Sequence, residues 1–124
     1  MNHGILIVED DKLLAESLRL NLEDHGYDVV GVTTEATEAL ELAEASKPLV
    51  AIVDIALEGA LDGITVGAYL AEQRIAVIYM SGYFEKALKQ GRDHAFDILS
   101  KTCRFEDLIA TIERAAQERV RHSS

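Results

Sequence analysis

The sequence predicts an α/β fold in which a doubly wound parallel sheet of five strands is covered by helices on both faces. Five short apolar runs recur along the 124 residues, and several are β-branched and lack alternation, as in strands buried on both sides. Segments with helical spacing lie between these runs. Strand and helix therefore alternate five times, (βα)5, which is typical of a parallel sheet with right-handed crossovers.

The five predicted strands share short length and apolar character, and they are Ile5 to Val8, Val29 to Val32, Leu49 to Val53, Ile75 to Met80, and a weaker run from Phe96 to Leu99. The first helix carries an apolar stripe at every fourth residue, Leu14, Leu18 and Leu22, and Gly26 predicts its end. The second helix follows Thr34, which is a candidate N-cap, and Pro48 lies where it should stop.

The remaining helices differ in the strength of their patterns. Asp62 is a candidate N-cap for the third, although Gly63 and Gly67 lower its helix propensity. A polar fourth helix is predicted around Phe84 to Gln90, ended by Gly91. The last helix is amphipathic, with apolar residues Phe105, Leu108, Ile109, Ile112 and Ala116.

Composition predicts a single compact domain spanning residues 1–124, since 48% of the residues are hydrophobic and 27% are charged. The net charge of -10 disfavours binding to nucleic acid, because a phosphate backbone would be repelled. The apolar runs are too short for a membrane helix and the N-terminus lacks a signal-peptide pattern, so we expect a cytoplasmic protein. The one cysteine, Cys103, is expected to be a passive thiol.

Polar residues follow four of the five predicted strands. In doubly wound sheets ligands bind outside the carboxyl ends of the strands, so these residues are the candidate site. They are Glu9, Asp10 and Asp11 after the first strand, Asp54 after the third, Ser81 and Gly82 after the fourth, and Lys101 after the fifth. Each also has a structural interpretation on its own: a helix cap for Asp11, a strand end for Ser81, a solvated charge for Lys101.

Taken together, these residue types suit phosphoryl transfer to a carboxylate. Clustered carboxylates are best tolerated beside a hard divalent cation, and Mg²⁺ accepts one or two of them, here Asp10 and Asp54, together with phosphate oxygens. Asp54 is the candidate nucleophile that would form an acyl phosphate. The Lys101 ammonium, the Ser81 hydroxyl and the Gly82 backbone amide would then stabilise the phosphoryl oxygens.

The order and spacing of these motifs resemble the receiver domain of bacterial two-component response regulators over nearly the whole chain. The resemblance rests on an apolar strand ending in Glu9-Asp10, then Asp54, Asp62-Gly63, Ser81-Gly82 and Lys101. It implies a flavodoxin-like fold and a phosphorylation switch at Asp54, which signals through protein contacts and catalyses only its own phosphorylation and slow dephosphorylation.

The resemblance also implies ligands and partners. It gives Asp10, Asp54 and the Ala56 backbone carbonyl as Mg²⁺ ligands, with Glu9 acting through water and Asp11 as an additional candidate. Ala56 thereby also belongs to the phosphoryl-binding set. The phosphodonor would be a histidine kinase, a histidine phosphotransfer protein or a small acyl phosphate, and the downstream partner would be a protein that the sequence does not name.

Four features depart from the family pattern. The loop from Ile55 to Leu61 lacks the usual proline and is one residue longer. Thr102 replaces the proline that commonly follows the lysine, so we expect a trans bond there, since a cis bond before a non-proline residue costs about 2.5–4 kcal/mol. Ile98 replaces the aromatic ring that changes rotamer on activation, so we expect the change in the segment from Tyr83 to Gly91 instead. The chain ends soon after the last helix, so we expect a receiver domain without an attached output domain.

Two other functions remain as alternatives. A Mg²⁺-dependent phosphatase of the haloacid-dehalogenase type also uses an aspartate nucleophile, but it needs a second aspartate where this chain has Ala56. A receiver-like interaction module that takes no phosphoryl group is the other alternative, although it would typically have lost an acid, the hydroxyl or the lysine. The sequence also leaves open whether these residues are one domain of a longer protein.

Overall fold

A computed structural model describes residues 4–57, 62–82 and 93–122 of the chain. Five strands and four helices lie in these ranges. In chain order they are β1 Gly4–Val8, α1 Lys12–Asp24, β2 Asp28–Thr33, α2 Ala36–Ser46, β3 Val50–Asp54, α3 Gly63–Glu72, β4 Ala76–Ser81, β5 Asp97–Ser100 and α4 Phe105–His122. The polar helix predicted around Phe84 to Gln90 lies outside the described residues, as does the segment from Tyr83 to Gly91 in which we expected the activation change.

The five strands form one sheet in the order β2-β1-β3-β4-β5, and every neighbouring pair is parallel. All residues of β1 and β3 are buried, as expected for unalternating apolar strands covered on both faces. The prediction of a doubly wound five-stranded parallel sheet is therefore confirmed. The strand order reverses between β1 and β3, which places a crevice at their carboxyl ends.

Two hydrophobic clusters cover the two faces of the sheet. Successive strand residues point to opposite faces, so Leu6 and Val8 belong to one cluster while Ile5 and Ile7 belong to the other. The first cluster contains buried residues of α2 and α3, and the second contains those of α1 and α4. None of the helices in the described part of the chain is both long enough and apolar enough to cross a membrane.

The end of α1 follows its sequence signal, whereas the start of α2 differs from the prediction. Helix α1 ends where Gly26 takes φ +88°, and the amides of Gly26 and Tyr27 donate to the carbonyls of Glu23 and Leu22, which is a Schellman motif. Helix α2 has Glu35, not Thr34, as its N-cap. The prediction of Thr34 was wrong because the Thr33 hydroxyl accepts the Glu35 amide and delays the helix by one residue.

Helix α3 contains two buried glycines that permit close packing. A Cβ at Gly63 would lie 2.2 Å from the Asp54 carbonyl oxygen, and a Cβ at Gly67 would lie 1.9 Å from the Tyr79 hydroxyl. The sequence predicted that these glycines weaken the helix, yet it runs for ten residues and begins at the predicted cap, Asp62, whose carboxylate accepts the Thr65 amide. Both glycines therefore lower the helix propensity of α3 but allow it to pack closely against the sheet.

Candidate functional site

The carboxyl ends of β1, β3 and β4 and the residue after β5 bring the candidate residues to one edge of the sheet. Glu9 directly follows β1, Asp54 ends β3, Ser81 ends β4 and Lys101 follows β5. β1 pairs with β3, β3 with β4, and β4 with β5, so these four positions lie side by side. Glu9, Asp54 and Ser81 are buried, with 3%, 4% and 1% of their surface exposed.

Lys101 makes direct ionic contact with both buried carboxylates. Its Nζ lies 3.1 Å from Asp54 Oδ2 and 3.2 Å from Glu9 Oε1. The Lys101 amide also donates to the Ser81 carbonyl at 2.9 Å, which holds the lysine backbone against the end of β4. A single ammonium group thus contacts two carboxylates and reduces the repulsion between them at a buried strand end.

The ionisation of Glu9 and Lys101 reflects this arrangement. Burial raises the pKa of Glu9, and the neighbouring Asp54 carboxylate raises it further, while the hydrogen bonds from the Asp11 amide and Lys101 oppose the rise. Burial alone would lower the pKa of Lys101, but the hydrogen bonds to Asp54 and Glu9 outweigh it and the pKa is raised. Lys101 therefore remains positively charged at neutral pH.

The two oxygens of Asp54 have different surroundings. Oδ2 contacts Lys101, whereas Oδ1 accepts the backbone amide of Ala56 at 3.0 Å. The Ala56 amide therefore turns the carboxylate towards the loop that follows β3. Residues 58–61, the latter part of that loop, lie outside the described residues.

The other predicted residues lie at the same edge with different roles. Asp10 is partly buried after β1. Asp11 is exposed and caps α1, because its Oδ1 accepts the amides of Leu13 and Leu14 at 3.0 and 3.2 Å. Gly82 is exposed, and a Cβ there would meet nothing within 4 Å. The structure therefore joins Glu9, Asp54 and Lys101 directly and gives Asp11 a structural role.

The donor set fits a magnesium site that uses few protein ligands. Among the described residues, no three His, Cys, Asp or Glu side chains converge in an arrangement that could hold a metal ion. Mg²⁺ does not need three, since it typically takes one or two carboxylates and completes its octahedron with water and phosphate oxygens. The Asp54 carboxylate, the neighbouring strand-end acids and the nearby Ala56 backbone supply oxygens of the required kind.

Two departures noted in the sequence have simple structural outcomes. The bond between Lys101 and Thr102 is trans, as predicted. The Ser100 hydroxyl accepts the Thr102 amide at 3.1 Å and forms a hydrogen bond with its hydroxyl, which stabilises the turn without a proline. Ile98 is 7% exposed and packs in the cluster shared with α3.

Sequence reasoning missed two features of the site. It assigned Glu9 only a water-mediated role, whereas Glu9 contacts Lys101 directly. It also missed the contact between Gly63 and the backbone of Asp54. The pair Asp62-Gly63, a helix cap followed by the smallest residue, was the signal for that contact, because a glycine at the first helical position permits close approach to a neighbouring strand.

Comparison with known proteins decides the family. The response regulator receiver domain matches residues 5–113 of this chain. The chain belongs to the response regulator receiver family. It is thus a receiver domain of two-component signalling. This membership excludes the haloacid-dehalogenase alternative, which would also require an aspartate where this chain has Ala56.

Receiver domains of known structure align with nearly the whole chain. The receiver domain of a modulated diguanylate cyclase from Desulfovibrio desulfuricans G20, described as an example of alternate folding, is 37% identical with a TM-score of 0.87, covering 96% of this chain and 97% of that chain. A CheY-like receiver domain protein from Methanospirillum hungatei JF-1 is 25% identical with a TM-score of 0.87, covering 98% of this chain and 99% of that chain. The flavodoxin-like receiver fold is therefore confirmed.

Among curated proteins, the transcriptional regulatory protein PdtaR of Mycobacterium tuberculosis (strain ATCC 25618 / H37Rv) is 35% identical over 114 residues, which cover 90% of this chain and 55% of PdtaR. The transcriptional regulatory protein BtsR of Escherichia coli (strain K12) is 31% identical over 116 residues, 93% of this chain and 48% of BtsR. The receiver chain thus spans about half the length of these relatives.

Proposed function

We propose that residues 1–124 form one receiver domain that accepts a phosphoryl group on Asp54 and signals the change through protein contacts. The observation that carries the proposal is the buried Asp54 carboxylate, held by Lys101 through Oδ2 and by the Ala56 amide through Oδ1. Both contacts orient the carboxylate before a phosphodonor arrives. Such preorganised donors are what phosphoryl transfer requires, because catalysis there consists mainly of positioning and electrostatic stabilisation.

The proposed reaction transfers a phosphoryl group from nitrogen or oxygen to a carboxylate. An Asp54 oxygen forms a bond to phosphorus while the bond from phosphorus to the donor histidine nitrogen, or to the acyl oxygen of a small donor, breaks. The leaving group keeps the electron pair of the broken bond. Lys101 is placed to stabilise negative charge on one phosphoryl oxygen, and the Ser81 hydroxyl with the Gly82 amide would bind another.

Mg²⁺ is the cofactor that this proposal includes. Asp10, Asp54 and the Ala56 carbonyl would hold it, with Glu9 acting through water and Asp11 as an additional candidate ligand. When bound, Mg²⁺ neutralises charge on the phosphoryl oxygens. Lys101 contacts both Glu9 and Asp54, so its positive charge would lower the repulsion between these carboxylates beside the ion.

The proposed partners follow from this chemistry. A histidine kinase or a histidine phosphotransfer protein would supply the phosphoryl group, and a protein effector would bind the phosphorylated domain differently from the unphosphorylated one. The names of its relatives, which are transcriptional regulatory proteins, support a regulatory output for such an effector. The net charge of -10 argues against direct contact of this domain with nucleic acid.

The test is phosphorylation by a small donor. Incubation with Mg²⁺ and acetyl phosphate should add one phosphoryl mass to the wild-type protein, and peptide mapping should place it on Asp54. Asp54→Asn should stay unlabelled, because an amide is a poor nucleophile towards phosphorus. Asp28→Asn is the matched control, since it makes the same chemical change at an exposed residue that begins β2, and it should label like wild type.

Two results would contradict the proposal. Equal labelling of Asp54→Asn and wild type would show that Asp54 is not the acceptor. Absence of labelling in wild type, from acetyl phosphate and from a histidine phosphotransfer protein alike, would favour the alternative of an interaction module that takes no phosphoryl group. The metal assignment has its own test: Asp10→Ala should weaken Mg²⁺ binding in titration calorimetry, because the ion loses an anionic ligand.

A further inference from the structure

Tyr79 is a buried residue of β4 that the proposed chemistry does not use. It is fully buried on the face of the sheet that packs against α3, two residues before Ser81. Its hydroxyl lies 3.2 Å from the carbonyl oxygen of Ile64 and 2.5 Å from His94 Nε2. This one oxygen therefore joins the first turn of α3 to the segment that leads into β5.

The position of the hydroxyl depends on Gly67. A Cβ at residue 67 would fall 1.9 Å from the Tyr79 oxygen and 2.5 Å from Cζ, so only glycine leaves room for the phenol tip. Gly67 follows Ile64 by three residues and lies on the same side of the helix. The glycine that weakened the predicted helix thus creates the notch in which Tyr79 reaches the Ile64 carbonyl.

The Ile64 contact lies next to the phosphoacceptor. Gly63 precedes Ile64, and a Cβ at Gly63 would fall 2.2 Å from the Asp54 carbonyl oxygen and 2.8 Å from Ile55 Cα. Helix α3 therefore begins with backbone packed on backbone at the residue that is to be phosphorylated. If the first turn of α3 shifts, the backbone of Asp54 must shift with it, because no side chain lies between the two backbones.

The protonation of His94 Nε2 decides whether the Tyr79 hydroxyl can donate to Ile64. A phenol has one proton to donate, and its oxygen can also accept. When His94 carries a proton on Nε2, it donates to the Tyr79 oxygen and the phenol proton is donated to the Ile64 carbonyl. When Nε2 is unprotonated, the phenol proton goes to His94 and the bond to Ile64 is lost. The two arrangements exclude each other.

We propose that Tyr79 is a positioning residue for phosphoryl transfer: its hydroxyl holds the first turn of α3 against the Asp54 backbone, and His94 directs the hydroxyl proton to the Ile64 carbonyl. The inference rests on the proposed function of Asp54. Tyr79 also places an aromatic ring beside Ile98, since Tyr79 and Ile98 are register partners in the neighbouring strands β4 and β5. The side chain that links the site to the α3 face is thus supplied by β4.

The test begins with Tyr79→Phe, which removes the hydroxyl and keeps the ring. Loss of one hydrogen bond should slow labelling by acetyl phosphate at saturating Mg²⁺ roughly two- to tenfold. In the unphosphorylated protein, amide hydrogen exchange should speed up by a similar factor at Thr65 and Val66, whose amides bond to Asp62 at the start of α3. Tyr69→Phe is the matched control, because Tyr69 is 51% exposed on the same helix, and it should change neither rate.

Variants of His94 test the direction of the proton. His94→Gln supplies an amide N–H donor and should label within about twofold of wild type, and so should His94→Leu, which leaves the Ile64 carbonyl as the acceptor of the phenol proton. His94→Glu offers only acceptor oxygens when ionised, so it should draw the phenol proton away from Ile64 and behave like Tyr79→Phe. Ile112→Val tests for a general effect of lower stability, since Ile112 is fully buried in the cluster on the opposite face of the sheet. It should be less stable than wild type and label at the wild-type rate.

Each outcome has a definite meaning. Slower labelling and faster exchange in Tyr79→Phe and in His94→Glu, with near-wild-type labelling in His94→Gln and His94→Leu, would support the inference. Wild-type labelling and exchange in Tyr79→Phe would overturn it while leaving Asp54 as the acceptor. Equal slowing in Ile112→Val would overturn it as well, because stability alone would then explain the effect. Failure of wild type itself to label would instead contradict the proposed function.

Discussion

Replacing Gly63 by alanine tests the close approach between α3 and the phosphoacceptor strand. The new Cβ would lie 2.2 Å from the Asp54 carbonyl oxygen, 2.8 Å from Ile55 Cα and 3.0 Å from the Asp54 carbonyl carbon. All three neighbours are backbone atoms, so no rotamer change can relieve the overlap. The helix start must move by about 1.2 Å, the difference between 2.2 Å and the 3.4 Å of an ordinary contact.

The expected cost follows from two opposing effects. Overpacking of this kind costs about 1–3 kcal/mol, and the better helix propensity of alanine returns up to about 1 kcal/mol. With a mid-range cost of about 2 kcal/mol and a gain of up to about 1 kcal/mol, we expect the free energy of unfolding of Gly63→Ala to fall by about 1–2 kcal/mol. With a urea m-value of about 2 kcal/mol/M, the midpoint of urea unfolding should fall by roughly 0.5–1 M.

Gly82→Ala is the matched control for stability. It makes the same change at the residue that follows β4, where a Cβ would meet nothing within 4 Å. Its free energy of unfolding should stay unchanged or rise by up to about 1 kcal/mol, because alanine restricts the unfolded chain. If both variants unfold at the same urea concentration with equal m-values, the contact between α3 and Asp54 is not as tight as the structure indicates.

Three further predictions concern other parts of the domain. Gly67→Ala should lower the free energy of unfolding in urea by about 1–3 kcal/mol, since its Cβ would overlap the buried Tyr79 hydroxyl; an unchanged midpoint would contradict that packing. Asp11→Ala should cost about 1 kcal/mol in the same assay and Asp11→Ser much less, because a serine hydroxyl can also cap α1; equal losses would speak against the cap. Burial and the nearby Asp107 charge raise the pKa of the Cys103 thiol. Below about pH 9, alkylation of Cys103 by iodoacetamide should therefore be slower in the folded protein than in the urea-unfolded chain, and its rate should level off only at a higher pH. If the alkylation rate levels off at the same pH in the folded and unfolded chains, the pKa is not raised.

The predicted strands agree with the structure because their signal is local. Each apolar run is readable within about six residues, and the boundaries differ by one residue or so, as where β3 ends at Asp54 and β5 begins at Asp97. The N-cap of α2 was misplaced by one residue, because the Glu35 amide donates to the hydroxyl of Thr33 and Glu35 becomes the N-cap. Such local competition between side chains is invisible to a rule based on residue type.

The set of strand-end residues could also be predicted, because parallel strands bring their carboxyl ends to one edge. The contacts within the set could not. Lys101 reaches Asp54 across 47 positions of sequence and Glu9 across 92, and both distances depend on the packing of the sheet. For Gly63 and Gly67 the sequence indicated only a lower helix propensity. The atoms that fill the space beside these glycines belong to β3, to the residue that follows it and to β4, and the sequence does not show which residues these are.

The sequence by itself therefore determined the fold class, the family and the residues at the strand ends, since each depends on local periodicity or on motif order along the chain. The tertiary structure alone decided that one ammonium group is shared by two buried carboxylates, that α3 rests on the Asp54 backbone, and that Tyr79 reaches Ile64 and His94. The physical reason is that charge sharing and steric fit are properties of distances between elements, and residue order along a chain does not specify those distances.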